Sequence, residues 1–371
     1  MLKTFMFPGQ GSQARGMGAE LFEQFPELVA RADAVLGYSI QELCTEDPRN
    51  ELNNTCFTQP ALYVVNALSH RRKLQDGGTP DFLIGHSLGE FNALQAAGCY
   101  DFETGLRLVK RRGELMAEAT GGAMAAILNS SKDDIERILF DNGLDDVAIA
   151  NYNTPWQLVI SGPAEQVIRA EPLFKGGKVR YYPLNTSGAF HSKFMVPAQR
   201  TFAHFLAGFA FAAPAVPVIS NFSAQAYAGD AVAEGLTRQI ASTVRWCESI
   251  QNLLDVAARR GCEIVFEELG HGDVLTRLVH TIRQQKPAPA PVAACPASPV
   301  TASAPDSPLS AADKVLAWNR RHPVGSKMKS TVMDDGDLET RTDAVVLFGH
   351  RAAVYMKGYN GYFDIDELIP A

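Results

Sequence analysis

Short apolar runs alternate with helix-like segments along the first part of the chain. The run Leu2–Phe7 predicts a strand, and apolar positions at helical spacing follow at about 19–35 and 59–74. A second apolar run comes next, and a further helical pattern covers about 102–118. Strands that alternate with helices are typical of a parallel sheet covered by helices. We therefore predict an α/β fold, and the same pattern resumes from 192 to about 285.

The pattern changes between residues 123 and 186. Its segments follow the order β-α-β-β-α-β, with strands predicted at 123–128, 147–150, 157–160 and 179–182 and helices at 132–140 and 164–174. This is the order of the ferredoxin-like split unit. We expect residues 123–190 to form a small subdomain inserted into a larger one, which is made of 1–122 and 191–285.

A proline-rich stretch, 286–309, follows the second α/β segment. It carries seven of the chain's 21 prolines, together with Ala, Ser and Thr. Such a composition cannot bury a core and predicts a semi-extended linker. Farther on, Ser310–Asp313 forms a capping-box pattern before a predicted helix, and strand-like runs lie at 344–348 and 352–356. We interpret 310–371 as an ordered C-terminal extension that serves as a docking or interdomain element.

Composition and charge narrow the classes of function. The chain has 371 residues, is 46% hydrophobic and carries a net charge of -7, which argues against nucleic acid as a partner. Its six cysteines are scattered without a Cys-x-x-Cys pair, which favours reduced thiols in a cytoplasmic protein. The sequence has no run of about 18 apolar residues and no signal-peptide pattern, so we expect no membrane partner. The histidines and cysteines show no metal-ligand spacing, so we expect no metal site.

The segment around Ser87 has the pattern of a nucleophile elbow. An apolar run leads into Gly85-His-Ser-Leu-Gly89, and a helical pattern follows from Glu90. In such an elbow the glycines permit a sharp turn, and the helix directs its free N–H groups toward the exposed serine. The pattern predicts a nucleophile beside an oxyanion site. A structural turn with an idle serine remains the alternative, because the motif alone is short.

Arg112 lies on the apolar face of the helix predicted at 102–118. At 100° per residue it falls among Leu108, Val109, Leu115 and Met116. A guanidinium cannot be deprotonated in a protein, so a buried one needs an anion. One hypothesis is a structural pair with an internal carboxylate such as Glu90. The other is a bidentate clamp for the carboxylate of a substrate, and the pattern does not choose between them.

Six ordered motifs give the chain a resemblance to a known family. They are Phe7–Gln13, Thr58–Ala61, Gly85–Glu90, Arg112-Gly113, Gly188–Ser192 and Val244–Trp246. Together they resemble the malonyl-CoA:acyl-carrier-protein transacylases, which occur as enzymes of fatty acid synthesis and as acyltransferases of polyketide synthases. The resemblance covers about residues 1–285. It implies an α/β-hydrolase-like large domain with a ferredoxin-like insert.

The resemblance implies a role for each matching residue. Ser87 would be the nucleophile of a ping-pong reaction, and His191 would act first as its general base and later as a general acid. Gln239 matches the position whose backbone carbonyl orients the histidine. The backbone N–H groups of Gln10 and Leu88 would form the oxyanion hole.

The resemblance also implies how the substrate is chosen. Arg112 stands where the family holds its malonate-binding arginine, and Phe190 would crowd an α-substituent and disfavour methylmalonyl units. Two departures stand out. His271 replaces the proline of the family's usual Gly-Pro-Gly, and the linker with its extension resembles those of discrete acyltransferases that serve trans-AT polyketide assembly lines.

The predicted function is therefore a malonyl transferase. It would move malonyl from malonyl-CoA, through an ester on Ser87, to the phosphopantetheine thiol of an acyl carrier protein, with no bound cofactor. Polyketide biosynthesis is the favoured pathway, and a transacylase of fatty acid synthesis is the alternative. A hydrolase that clears stalled acyl groups from carrier proteins could use the same serine and histidine, but has no use for Arg112. A non-catalytic recruitment protein would leave all three residues without a role.

Overall fold

The computed structural model describes residues 1–186, 188–285, 311–330, 338–347, 351–357, 362–365 and 368–370. The chain divides into two compact units, Met1–Ala288 and Pro289–Ala371. The predicted linker at 286–309 and the first residue of the predicted capping box, Ser310, lie outside the described residues.

The larger unit contains a four-stranded parallel sheet. Its strands are β1 (Leu2–Phe7), β2 (Phe82–Gly85), β7 (Val218–Ile219) and β8 (Ile264–Glu268), in the spatial order β7-β2-β1-β8. The helices of this part are α1 (Ala19–Gln24), α2 (Pro26–Leu36), α3 (Ile40–Thr45), α4 (Thr55–Gln75), α5 (Gly89–Ala96), α6 (Phe102–Ala117), α9 (Val196–Leu206), α10 (Val232–Gln239), α11 (Trp246–Arg259) and α12 (Val274–Gln285). The predicted α/β fold with a parallel sheet is confirmed.

Side chains from both faces of this sheet are buried. Phe5 and Phe7 of β1 pack into one apolar cluster with residues of α4, α5 and α6, whereas Met6 packs into another with residues of α11 and α12. Successive side chains of a strand point to opposite faces, so a sheet covered on both sides needs apolar residues at every position. The continuous run Phe5–Phe7 meets this requirement.

Two predicted helices differ from those observed. The helix expected at 19–35 is two helices, α1 and α2, which meet at Phe25 with φ -126° and ψ 53°. Pro26 explains the break, because the residue before a proline is excluded from the helical region. The helix expected from 59 begins at Thr55, where the side chain of Asn54 caps it by accepting from the N–H of Cys56.

A separate antiparallel sheet lies within the larger unit. Its strands are β3 (Gly122–Leu128), β4 (Ala148–Thr154), β5 (Gln157–Pro163) and β6 (Arg180–Pro183), in the order β4-β5-β3-β6, with helices α7 (Lys132–Asp141) and α8 (Ala164–Ala170). The element order is the predicted β-α-β-β-α-β. The second predicted helix is shorter than expected, since Glu171–Phe174 forms a 3-10 turn with Pro172 at its start.

The antiparallel sheet is tied to the segment that precedes α11. The N–H of Tyr152 in β4 donates to the carbonyl of Val244 at 3.0 Å, and the N–H of Val244 donates to the carbonyl of Ala150 at 2.8 Å. These backbone bonds join the antiparallel sheet to the segment between α10 and α11, close to Gln239 at the end of α10.

The second unit has a core of its own. It comprises α13 (Ala311–Arg321) and the strands β9 (Lys327–Ser330), β10 (Leu338–Glu339), β11 (Val345–Leu347), β12 (Arg351–Tyr355), β13 (Tyr362–Asp364) and β14 (Leu368–Pro370). The strands form two antiparallel sheets, β10-β9-β14 and β11-β12-β13. Trp318, Met328 and Val354 are among its buried side chains. The helix and the two strands predicted here are present.

Three further searches cover only the described residues. None of the helices there is long and apolar enough to cross a membrane. No group of three or more His, Cys, Asp and Glu side chains in those ranges could hold a metal ion. The five cysteines within them are free thiols.

Candidate active site

Ser87 lies on a tight turn between β2 and α5. Its φ is 50°, a left-handed conformation that is uncommon for a residue with a side chain. The neighbouring glycines are required by space, since a Cβ on Gly85 would lie 1.9 Å from the carbonyl carbon of Gly89, and one on Gly89 would lie 1.9 Å from the carbonyl oxygen of Phe7. The predicted strand, turn and helix therefore form an elbow that only glycine permits at both flanks.

Asn221 braces this elbow from a distant part of the chain. Its Oδ1 accepts from the N–H of Ser87 at 2.7 Å, and its Nδ2 donates to the carbonyl of Gly85 at 2.7 Å. The two bonds hold both sides of the turn with one rigid amide. Asn221 is fully buried, so water does not compete for its side-chain amide.

His191 faces the hydroxyl of Ser87 in the geometry of a general base. The distance from its Nε2 to Ser87 Oγ is 2.8 Å, while its Nδ1 lies 3.0 Å from the carbonyl oxygen of Gln239 and 3.2 Å from that of Ser242. Carbonyl oxygens only accept, so Nδ1 carries the proton and Nε2 presents its lone pair to the serine. Burial, assisted by the charge of Arg112, lowers the pKa of His191 to about 3, which keeps the imidazole neutral.

Arg112 is buried beside the same hydroxyl. Its Nη1 donates to Gln59 Oε1 at 2.7 Å, and its Nη2 donates to Gln239 Oε1 at 2.8 Å and to Ser87 Oγ at 3.1 Å. Within the described ranges its Nε has no hydrogen-bond partner, and no carboxylate lies within ion-pair distance of the guanidinium. Burial lowers the pKa of Arg112 to about 10, so it remains a cation at neutral pH.

Glu90 does not pair directly with Arg112, so that structural hypothesis is wrong. Its Oε1 accepts from the N–H of Asn221 at 3.1 Å and from the hydroxyl of Tyr227 at 2.6 Å, and its Oε2 accepts from Nε2 of Gln239 at 2.6 Å. Gln239 thus stands between the anion and the cation. Burial raises the pKa of the Glu90 carboxyl to about 7, against the opposing effect of these donors.

The two backbone amides predicted for an oxyanion hole lie on segments that touch. A Cβ on Gly9 would lie 2.3 Å from the carbonyl oxygen of His86 and 3.7 Å from the amide nitrogen of Leu88, so the Pro8–Gln13 loop packs against the elbow. Neither the N–H of Gln10 nor that of Leu88 donates to an acceptor in the described part of the chain. Their role remains a prediction.

Phe190 and His271 differ in their relation to this cluster. Phe190 immediately precedes His191 and is buried in the large apolar core, and its effect on substrate choice stays a prediction. His271 is half-buried and makes no hydrogen bond with the residues around Ser87. The adjacent Gly270 has φ 143°, and a Cβ there would lie 2.2 Å from Asn66 Oδ1, so this loop depends on its glycine.

Several residues that contact the site or its supporting groups are not predicted from the sequence. Gln59 was part of a recognised motif but had no assigned role, although a glutamine on the buried face of α4 is an available signal. Ser242 contributes only a carbonyl oxygen, and Asn221 and Tyr227 lie in loops without a pattern. Nothing in the order of residues indicates these contacts.

A comparison with known protein families decides the class. The sequence profile described as "Acyl transferase domain" matches residues 4–301. The chain belongs to the acyl transferase family. Its matched range contains Ser87, His191, Arg112 and Gln239, which are the residues that the structure brings together.

Individual relatives carry more specific names. The chain is 49% identical over 285 residues to the polyketide biosynthesis malonyl CoA-acyl carrier protein transacylase BaeC of Bacillus velezensis, covering 76% of this chain and 97% of BaeC. It is similar to the solved malonyl CoA-acyl carrier protein transacylase of Burkholderia pseudomallei, with 68% identity and a TM-score of 0.77, covering 78% of this chain and 100% of that one.

A longer relative shares the same region. The polyketide biosynthesis protein PksE of Bacillus subtilis is 50% identical over 285 residues, which is 76% of this chain but only 36% of PksE. The chain therefore spans about a third of the length of that relative.

Proposed function

We propose that this protein transfers malonyl groups from malonyl-CoA to the phosphopantetheine thiol of an acyl carrier protein. The observation that carries the proposal is the position of Arg112. A fully buried cation without a carboxylate partner in the described ranges lies 3.1 Å from the hydroxyl of Ser87. Malonyl differs from acetyl by one free carboxylate, and a guanidinium is the side chain that binds a carboxylate through two parallel hydrogen bonds.

The first half of the reaction forms an ester on Ser87. The Oγ attacks the thioester carbonyl carbon of malonyl-CoA while Nε2 of His191 takes its proton. The negative charge that develops on the carbonyl oxygen is held by the N–H groups of Gln10 and Leu88. The carbon–sulfur bond then breaks, the proton on His191 passes to the sulfur, and CoA leaves as a thiol.

The second half of the reaction repeats these steps with a different nucleophile. The phosphopantetheine thiol of the carrier protein gives its proton to His191, and its sulfur attacks the ester carbonyl. The carbon–oxygen bond breaks, and the proton returns to Ser87 Oγ. Each half-reaction starts from neutral His191, a state that its lowered pKa maintains across the physiological range.

Arg112 and Phe190 select the acyl group. The N–H of Nε and the second N–H of Nη1, which have no partner in the described residues, hold the malonyl carboxylate during both steps. Phe190, next to His191, disfavours methylmalonyl groups because its ring crowds the α-methyl substituent. A pocket typically discriminates against one such methyl group by about 1–3 kcal/mol.

The pathway and the domain roles belong to the same proposal. Identities of 48–50% to relatives named for polyketide biosynthesis favour that pathway over fatty acid synthesis. We assign 1–122 and 191–285 to an α/β-hydrolase-like part, 123–190 to a ferredoxin-like insert and 286–309 to a linker. The unit formed by 310–371 would dock on polyketide synthase modules, and the enzyme would act in the cytoplasm.

Intact-mass measurement tests the transfer. The protein is incubated with malonyl-CoA or acetyl-CoA, then with a holo carrier protein, and Ser87→Ala serves as the control. The proposal expects a malonyl adduct that is absent in Ser87→Ala and passes to the carrier. Acyl carrier proteins loaded with acetyl or longer acyl groups are tested in parallel. If no malonyl adduct forms and free acid is released from these carrier proteins, the protein is instead a hydrolase that clears stalled acyl groups.

A further inference from the structure

Glu90 is a buried carboxylate that the proposed chemistry does not use. Its side chain is fully enclosed and contacts three groups, the N–H of Asn221, the hydroxyl of Tyr227 and Nε2 of Gln239. All three act as donors toward it. An ionised carboxylate only accepts, so it suits this surrounding and requires a donor at each position.

Gln239 links this carboxylate to the reacting groups. Its Nε2 donates to Glu90 Oε2 at 2.6 Å and to the carbonyl oxygen of Ser87 at 2.7 Å, which uses both of its hydrogens. Its Oε1 accepts from Nη2 of Arg112 at 2.8 Å. The two ends of an amide have nearly the same shape, so chemistry alone fixes which end faces the guanidinium.

We propose that Glu90 is a positioning residue for malonyl recognition, acting through the side-chain amide of Gln239. This inference rests on the proposed malonyl transfer and names how the selectivity of that site is maintained. Glu90 and the carbonyl oxygen of Ser87 both accept from the NH₂ group of Gln239, so the amide oxygen of Gln239 faces Arg112, and Glu90 is the charged acceptor of the two. The guanidinium is then held in one orientation beside Ser87.

The separation of Glu90 from Arg112 is part of the same role. A buried cation without a nearby opposite charge is costly, and the carboxylate supplies that charge one amide group away. Since the two ions do not touch, the N–H groups of Arg112 are not occupied by an internal anion. A malonyl carboxylate can therefore bind without first displacing a salt bridge.

Glu90→Gln tests this inference because it keeps the shape and changes the pattern of donors. If the new oxygen replaces Oε1 against the N–H of Asn221, the new NH₂ faces the NH₂ of Gln239. If the new amide is reversed, its NH₂ faces the N–H of Asn221. Either arrangement sets two donors against each other, and rotating Gln239 instead turns its NH₂ toward Arg112.

The experiment compares malonyl and acetyl loading by intact mass in the original protein, Glu90→Gln and Tyr227→Phe, at a pH above the pKa of about 7 of Glu90, where this carboxyl is ionised. Loss of a hydrogen bond to a charged group predicts a ~10- to 100-fold lower malonyl loading rate in Glu90→Gln, with acetyl loading nearly unchanged. Tyr227→Phe removes one donor to Glu90 but leaves the contact with Gln239, so it is expected to keep the malonyl preference of the original protein.

Three outcomes would overturn the inference. If Glu90→Gln loses malonyl and acetyl loading equally, Glu90 is a structural residue. The same conclusion follows if Tyr227→Phe loses as much of its preference for malonyl over acetyl as Glu90→Gln does. An unchanged malonyl preference in Glu90→Gln would show that Gln239 needs no such support. Failure of the original protein to load malonyl would instead contradict the proposed function itself.

A second variant is used if Glu90→Gln does not melt cooperatively. Glu90→Asp keeps the charge and draws the carboxylate back by one methylene group, which weakens its contact with Gln239. The same comparison applies: a selective loss of malonyl loading supports the inference, and an equal or absent loss contradicts it.

Discussion

The serine elbow and the arginine cradle, formed by Gln59 and Gln239 around Arg112, meet at the hydroxyl of Ser87 but are built by different means. Backbone geometry fixes the elbow, where Ser87 has a left-handed conformation and the backbone leaves no space for a side chain at Gly85 or Gly89. Side-chain amides fix the cradle, where Gln59 and Gln239 hold Arg112 from separate helices. In the proposed reaction the first arrangement exposes the nucleophile for any acyl group. The second would carry the selectivity for malonyl, so the two properties are expected to respond to different substitutions.

His191→Ala is expected to cause the largest effect and to affect both substrates. Loss of the general base lowers loading by about 10²–10⁴-fold for malonyl-CoA and acetyl-CoA alike, since both require the proton of Ser87 to be removed. Single-turnover rates measure this. His271→Ala is the matched control, because in the described residues that histidine makes no hydrogen bond with Ser87, His191 or Arg112, and a comparable loss there would contradict the assignment of His191 as the base.

Arg112→Ala is expected to separate the two regions. Removing one partner of a buried charge interaction costs on the order of 2–5 kcal/mol, and here the cost falls on malonyl loading, while acetyl loading falls much less. Arg111→Ala is the control, since Arg111 precedes Arg112 in the helix, is partly exposed and pairs with Glu114. Equal losses for malonyl and acetyl in Arg112→Ala would show that the arginine serves the nucleophile rather than the carboxylate.

The pH dependence of stability gives a smaller effect that is specific to the cradle. Burial raises the folded-state pKa of Glu90 from 4.5 to about 7, with Arg112, Tyr227 and Tyr100 facing it. The folded protein therefore holds this proton more tightly than the unfolded chain does. The stability from that protonation is fully present below about pH 4.5 and is lost as the pH rises through about 7, a change of about 3 kcal/mol.

Denaturant unfolding of the protein and of Glu90→Gln at several pH values measures this change. The free energy of unfolding of the original protein minus that of the variant is expected to decline as the pH rises from about 4.5 through about 7. A difference that stays constant with pH would show that Glu90 titrates as it does in the unfolded chain. Subtraction removes the contribution of His191, whose lowered pKa gives a slope of opposite sign.

The same contrast explains what could be predicted from the sequence. The elbow is local, because Gly85, Ser87 and Gly89 follow one another between a strand and a helix. The face of α6 that buries Arg112 follows from helical periodicity, which is also local. Both features can therefore be predicted from the sequence.

The partners of these features could not be predicted from the residues alone. Asn221 contacts Ser87 across 134 positions, and Gln239 contacts Arg112 across 127. Their placement depends on how strands and helices pack, which no local pattern encodes. Glu90 shows the same limit, since a direct pair with Arg112 was one of two open hypotheses and the carboxylate instead contacts the amide of Gln239 between them. The break at Phe25 was missed although Pro26 was a local signal.

Gln239 has a consequence for how such an enzyme can diversify. Its main-chain oxygen orients His191, whereas its side chain faces Arg112 and Glu90. Every amino acid has the same main-chain oxygen, so a replacement at this position alters only the side-chain contacts with Arg112, Glu90 and the carbonyl oxygen of Ser87. A lineage could therefore change which acyl groups it accepts by mutation at one codon while the proton-transfer apparatus remains intact.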